Sequence, residues 1–329
     1  MTRRKHCLIE LSFLEEYSQL VPTIGIPDEQ SLEAFATWAN IYSFICRSDL
    51  TFDCTLEEFS SKVKTDKVLF QLWKRNTGGE CYIRFNNSKF NNLAELLNTY
   101  PLSILLSKFD KSELSKKFGV INININNFTQ KAHYFKDNGV AVKMDKNWDW
   151  ENVRAVASEA ANAALVIDNY IFKGDIRSNF VKLLDIILPE TLDIEFHLTI
   201  FYIDSRIDSI QSLKETIRKI RPNLNIKYEF IQHRGDANNG FKTDFHDRTI
   251  LTNNLWIGSG AGFNILKRDR LHFESQKTTT IPIAHVFFAS KSIQWLDDAV
   301  NNLIEDAKNT LYKKHISSTN RLLDSSASA

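Results

Sequence analysis

The sequence predicts an α/β protein in two parts. The second half should hold a mainly parallel sheet flanked by helices, and the first half a mixed α/β domain. Three observations carry this. Short apolar runs rich in Val, Ile and Phe recur at 164–171, 196–203 and 225–233, as buried strands require. Stretches with helical spacing lie between them, two of them stopped by Pro189 and Pro222. Such alternation is the pattern of strand–helix–strand units. The 329 residues, 43% apolar and 12% aromatic, also suffice for a core in each half.

Taken in order, residues 6–11 predict a short strand. Residues 31–47 predict a helix, with Leu32, Phe35, Ala36, Ala39, Ile41, Tyr42 and Ile45 at helical spacing. A second helix is expected over 59–75, broken by Thr77-Gly78-Gly79, and a third over 93–109, interrupted by Pro101. After Gly119, Ile121, Ile123 and Ile125 alternate with Asn122, Asn124 and Asn126, which predicts a half-buried strand with its asparagines toward solvent. Turn signals over 137–150 and the pair Trp148 and Trp150 mark a boundary, giving domains 1–145 and 146–315. A helix over 147–162 then leads to the strand 164–171, which delivers Asp168 at its carboxyl end. Helices over 177–188 and 212–221, strands within 244–253 and 254–260, and a closing helix over 293–313 follow. The Ser/Ala-rich residues 316–329 read as a flexible tail.

Charge is balanced, 41 basic residues against 40 acidic, so the chain has no long-range field to steer a polyanion, and phosphate recognition must be local. Cys7, Cys46, Cys54 and Cys81 show no C-x-x-C spacing, which points to free thiols in a reducing cytosol and to no metal. The basic opening resembles a signal peptide, but Glu10, Glu15 and Glu16 interrupt its apolar run, and no stretch reaches the length of a membrane span. A soluble, cytoplasmic protein without a cofactor is expected.

The chemistry concentrates at His246-Asp247-Arg248, followed by Asn253 and by Gly258-Ser259-Gly260-Ala261-Gly262. On a strand, His246 and Arg248 share a face. An imidazole can attack phosphorus or pass a proton, and a guanidinium fork binds two phosphate oxygens. The small residues that follow let backbone amides approach an anion.

This pattern resembles the phospholipase D superfamily, whose signature is His-x-Lys-x4-Asp followed by a Gly-Ser turn. The spacing is kept here, with Arg248 in place of the Lys and Asn253 in place of the Asp. The resemblance implies His246 as the catalytic nucleophile and Arg248 as the residue that holds the phosphate. With Asn253, Gly258, Ser259, Gly260 and Gly262 it makes the candidate phosphate-binding set, with Arg177 and Asp247 in support. Asp168 either holds Arg248 or Arg177 in place or forms a buried structural ion pair. Asn253 cannot act as the carboxylate, and the chain carries one motif where the family's active sites use two, from a duplication or a homodimer. A closer resemblance is to the phospholipase-D-like domain at the C-terminus of eukaryotic MIT-domain proteins. Residues 166–171 look like its strand ending Asp-Pro-Tyr-Ile, residues 175–184 like its next helix, and 245–251 and 260–266 like its His-Asp-Arg and Gly-x-Gly-Leu-Asp segments. That domain is non-catalytic and associates with membranes through anionic headgroups. The N-terminal half does not look like an MIT domain. Domains of this kind also occur in bacterial proteins linked to defence against phage, and by that analogy the chain is placed in a prokaryotic antiviral system.

Other candidates have plainer readings. Lys214, Arg218 and Arg221 form a basic stripe opposite Leu213, Ile217 and Ile220, as a solvated helix face does. Lys267, Arg268 and Arg270 could extend an anion site or serve solubility. Glu10 after the first strand resembles the first acidic residue of PIN-like nucleases, with Glu57, Glu58 and Asp110 as further carboxylates for a metal. Three functions follow. The first is a module binding a phosphate-bearing ligand (nucleic acid, nucleotide or headgroup), with a protein partner on the N-terminal half. The second is a metal-independent phosphodiesterase or nuclease acting through His246 in a homodimer. The third is a metal-dependent N-terminal nuclease.

Overall fold

A computed structural model describes residues 5–19, 29–128, 130–131, 139–144, 148–157, 159–172, 176–203, 207–232, 248–260, 263, 265–267, 270–271, 280–287, 294–313 and 315–323. The chain is an α/β protein whose described residues form two large sheets and one small two-stranded sheet. The first half runs β1 (His6–Ile9), α1 (Leu11–Gln19), α2 (Glu29–Arg47), β2 (Asp49–Phe52), α3 (Leu56–Val63) and α4 (Lys67–Thr77). It continues through β3 (Ile83–Phe85), α5 (Leu93–Thr99), β4 (Ser103–Ser107), α6 (Ser112–Phe118) and β5 (Ile121–Asn124). Its five strands are all parallel, in the order β3-β2-β1-β4-β5.

The second half holds β6 (Val140–Lys143), α7 (Glu151–Arg154), β7 (Ala163–Ile167), a π-helical turn (Arg177–Val181), α8 (Lys182–Ile187), β8 (Phe196–Tyr202), α9 (Ile207–Ile220) and β9 (Ile226–Gln232). Then come β10 (Arg248–Thr252), β11 (Leu255–Ser259), β12 (Leu266–Lys267), β13 (Arg270–Leu271), β14 (Thr280–His285) and α10 (Gln294–Lys313). Seven of these strands form a sheet ordered β6-β14-β11-β10-β7-β8-β9, and β12 with β13 makes a small hairpin.

The parallel character lies in the half where it was not expected. In the second sheet β7, β8 and β9 are parallel, but β10 runs against both β7 and β11, and β14 against β11 and β6. The sheet is therefore mixed. Asn253 and Asn254 join β10 to β11, and so short a connection can only reverse the chain. Thr252 Oγ1 fixes this turn by accepting the N–H groups of Asn254 at 3.1 Å and Leu255 at 2.8 Å.

In the first half, the run 93–109 divides at Pro101 into α5 and the interior strand β4. Every residue of β4 is buried, and such a strand shows no alternation to separate it from a helix. The run 59–75 falls into α3 and α4. Thr55 and Glu58 form a capping box that starts α3, and the Asp66 carboxylate starts α4 by accepting the N–H groups of Val68 and Leu69. Asn122 and Asn124 are buried, not solvent-facing. Asn122 Nδ2 donates to Ser107 Oγ at 2.7 Å and its Oδ1 accepts the Lys111 N–H at 2.9 Å. The helix expected over 147–162 shortens to α7.

The division at 145 is also displaced, because β6 pairs with β14 and belongs to the second sheet. The two halves share one apolar cluster that includes Ile41 and Phe44 from α2, Leu165 and Leu251 from the second sheet, and Ile304 and Ala307 from α10. Gly119 stands at the joint in the left-handed region, φ 59°, and a Cβ there would lie 2.5 Å from the Ala161 carbonyl. Residues 316–323 are not a loose tail. Asn320, Arg321 and Leu322 are buried, and Asn320 Nδ2 donates to Ala164 O and Thr199 Oγ1.

Candidate anion site at the carboxyl end of β7

The predicted motif straddles strand β10, and its two ends have different surroundings. Arg248 opens the strand, with Ser259 of β11 as its cross-strand neighbour. On the other side Thr249 pairs with Ile167, which sets Asp168 beside Arg248 at the carboxyl end of β7. The Arg248 Nη1 donates to Gly260 O at 3.2 Å, and the guanidinium lies 5.8 Å from the centre of the Tyr170 ring. A planar guanidinium over an aromatic face is a favourable cation–π pose.

Asp168 organises the floor. It is buried; Oδ1 accepts the Tyr170 N–H at 2.8 Å and Oδ2 accepts the Phe263 N–H at 3.0 Å. Burial pushes its pKa above the usual carboxylate range, against the pull of these two N–H groups and of the Arg248 charge. One carboxylate thus fixes Tyr170 and the far end of the glycine turn. Asn179, buried within the π-helical turn, does the same for the next residues. Its Oδ1 accepts the N–H groups of Ile265 at 2.9 Å and Leu266 at 2.6 Å, and its Nδ2 donates to Leu266 O at 2.7 Å. A π-turn shifts the register of a helix by one residue, and here it aims an amide at the loop.

The remaining predicted residues separate. His246, Asp247 and Gly262 lie outside the described residues. Arg177 is exposed at the start of the π-helical turn. Ser259 is buried, so its hydroxyl does not open to solvent. Gly258 is required by packing, since a Cβ would come within 2.7 Å of the Trp256 indole. A Cβ at Gly260 would meet nothing within 4 Å, so that position keeps open space beside Arg248.

Asn253 does not belong to the phosphate-binding set. It lies past the other end of β10, wholly buried. Its Oδ1 accepts the Asn162 N–H at 2.8 Å, and its Nδ2 donates to Gly119 O at 2.8 Å and Asn254 Oδ1 at 3.1 Å. A strand rises about 3.4 Å per residue, so five residues put Asn253 roughly 17 Å from Arg248. The asparagine ties the two halves together.

The other candidates also settle. Arg221 is buried, donating to the carbonyls of Asp185 and Leu188 and pairing with the Asp185 carboxylate at 2.7 Å, so it is a clamp between α9 and α8 and not part of a solvated stripe. Lys214 sits over the rings of Tyr228 and Phe230. The side chains of Lys267, Arg268 and Arg270 are outside those described. Glu10 Oε2 accepts the Lys108 N–H at 2.9 Å, while Oε1 pairs with Lys111 at 3.3 Å. Glu57 and Glu58 lie in the first turn of α3, and Asp110 accepts the N–H of Ser112. Among the described residues no three His, Cys, Asp or Glu side chains converge as a metal site needs, and no helix is long and apolar enough to cross a membrane.

Sequence reasoning missed Tyr170 and Asn179. Both stand in segments whose pattern was noted, but an aromatic ring's use as a platform and an asparagine's aim depend on the turn and the π-register. No protein-family model and no curated protein matches the chain.

Proposed function

We propose that the carboxyl end of β7, beside the start of the central strand β10, is a binding site for a phosphate-bearing ligand, built on a degenerate phospholipase-D-like domain. One observation carries the reading: Arg248 is braced by the Tyr170 ring and the Gly260 carbonyl, above a buried Asp168 that locks both flanking loops. A guanidinium forms charge-assisted hydrogen bonds to phosphate oxygens, and this one is only partly buried. Binding is favoured over hydrolysis because Asn253, the position of the motif's carboxylate, is committed to the joint. Assignment to a prokaryotic antiviral system rests on analogy with the bacterial proteins in which domains of this kind occur, with no motif behind it.

The test compares the full chain with Arg248→Ala, using inorganic phosphate, a single-stranded oligonucleotide and phosphatidylserine vesicles as probes. Arg248→Ala should weaken binding about tenfold, the worth of one charge-assisted hydrogen bond, with its thermal midpoint little changed. The strongest of the three probes identifies the ligand's source. Equal binding by the variant rejects the site. EDTA-resistant cleavage of the oligonucleotide, lost in His246→Ala, would replace the binding reading with the hydrolytic one.

A further inference from the structure

The first sheet carries a different place where a ligand can sit. In an open parallel sheet ordered β3-β2-β1-β4-β5, the connections change direction between β1 and β4, and the crevice beyond the carboxyl ends of those strands is where such sheets bind ligands. Here those ends deliver Glu10 after β1, and Lys108, Phe109, Asp110 and Lys111 after β4.

The turn after β4 is pinned from both sides. Glu10 takes the Lys108 N–H, Ser107 Oγ donates to Phe109 O at 2.6 Å, and Asn122 takes the Lys111 N–H. On this fixed turn the Phe109 ring is 64% exposed, the second most exposed large apolar side chain among the described residues. Lys108 Nζ lies 5.4 Å from its centre. The two ammonium groups are lodged at the crevice by glutamates, Lys108 by Glu16 and Lys111 by Glu10, with the lysine side chains 33% and 38% exposed. The Lys108–Glu16 pair is partly exposed on both sides and contributes little to stability, so an incoming anion can compete for Lys108, while Lys111 is held by a Glu10 side chain that is 14% exposed.

We propose that this crevice binds a nucleoside phosphate, its base stacked on Phe109 and its phosphate held by Lys108 and Lys111. A rigid exposed ring beside two cations matches a flat base linked to an anion, and bases of any identity can use such a platform. The divalent-metal reading of the same acidic residues fits less well, because among the described residues no three His, Cys, Asp or Glu side chains converge as a metal site needs.

Calorimetric titration of the full chain with adenosine monophosphate, adenosine, inorganic phosphate and a short single-stranded oligodeoxyadenylate tests this. The monophosphate should bind more tightly than adenosine or phosphate alone. Phe109→Ala should weaken it about tenfold, as loss of one base–aromatic stack does, and leave phosphate binding as it was. Lys111→Ala should weaken monophosphate and phosphate alike. Lys116→Ala, at a site 74% exposed on α6, should match the parent. Tighter binding of the oligonucleotide, with the same dependence on Phe109, would make the source a nucleic acid strand; otherwise it is a free nucleotide. Monophosphate binding no tighter than phosphate, or unchanged by Phe109→Ala, overturns the proposal.

Discussion

The two ends of strand β10 invite comparison, because one motif places a polar residue at each and the fold uses them in opposite ways. At the Asn253 end, carboxamide oxygen and nitrogen are both spent on Asn162, Gly119 and Asn254, and nothing faces water. At the Arg248 end, the guanidinium is braced but partly open, beside a glycine with free space around it. The difference shows that residues five apart on one strand can serve separate ends: a joint at one end and, in the proposed reading, a ligand site at the other.

The joint should be the more fragile in stability and the open end the more fragile in binding. The largest effect is expected from Gly119→Ala. A Cβ would demand a left-handed backbone of an L-residue and would press on the Ala161 carbonyl at 2.5 Å. A loss of about 3 kcal/mol or more is expected in urea unfolding. A loss below about 1 kcal/mol would mean the joint is loose. Asn253→Asp comes next. It restores the motif's carboxylate yet removes the donors to Gly119 O and Asn254 Oδ1, turning acceptor against acceptor in a buried place. About 2–3 kcal/mol should be lost, with no phosphodiesterase activity gained. A stable, active Asn253→Asp would reverse the comparison and make the motif's hydrolytic logic govern both ends.

This contrast also explains what could be read from the sequence. Strands β7 and β8 and helix α10 were legible because their apolar runs and spacing are uninterrupted. Asp168 was found for the same reason, as the polar residue closing a buried strand. The parallel first sheet was hidden in short strands: β2 and β3 are only four and three residues long, and β4 imitates a helix by being apolar throughout. Asn122 looks like a surface residue and Asn253 like part of a motif, since nothing local reveals that their partners come from β4, the turn after it, or the other half. Asn124 is buried while its Oδ1 accepts the N–H groups of Asn126 and Asn127 just beyond it. Arg321 was lost to composition. Serine and alanine around it suggested a tail, but its guanidinium donates to Asn162 O at 3.2 Å and Glu195 O at 2.7 Å.

A smaller effect separates the joint from the open end by pH. His197 Nδ1 accepts the Arg321 N–H at 3.1 Å, and burial, helped by the charges of Arg321 and Lys227, holds its pKa down at about 4. The unfolded chain, with an ordinary histidine near 6.5, binds more protons between those values. Stability is therefore complete above about pH 6.5, falls as pH drops, and loses this contribution by about pH 4. About 1–2 kcal/mol is expected, the partly exposed ring reducing the full effect of the shift. His6, buried and depressed to about 3, adds to the slope in the same direction. His197→Asn keeps an acceptor for Arg321 and removes the titration, so the difference between the two proteins' pH–stability curves isolates His197. Identical slopes would place its titration elsewhere.

The smallest effect belongs to the open end. Tyr170 is 43% exposed, its backbone fixed by Asp168 and its ring beneath Arg248. If the ring holds the guanidinium in its binding pose, Tyr170→Leu should weaken phosphate-probe binding about threefold, the worth of an exposed cation–π contact. Unfolding should stay within about 0.5 kcal/mol of the parent, as for most surface substitutions. Tyr170→Phe, which keeps the ring, should bind like the parent. A Phe variant as weak as the Leu variant would shift the role from the ring to the phenol hydroxyl, and Arg248 would then be oriented by Gly260 without its aromatic support.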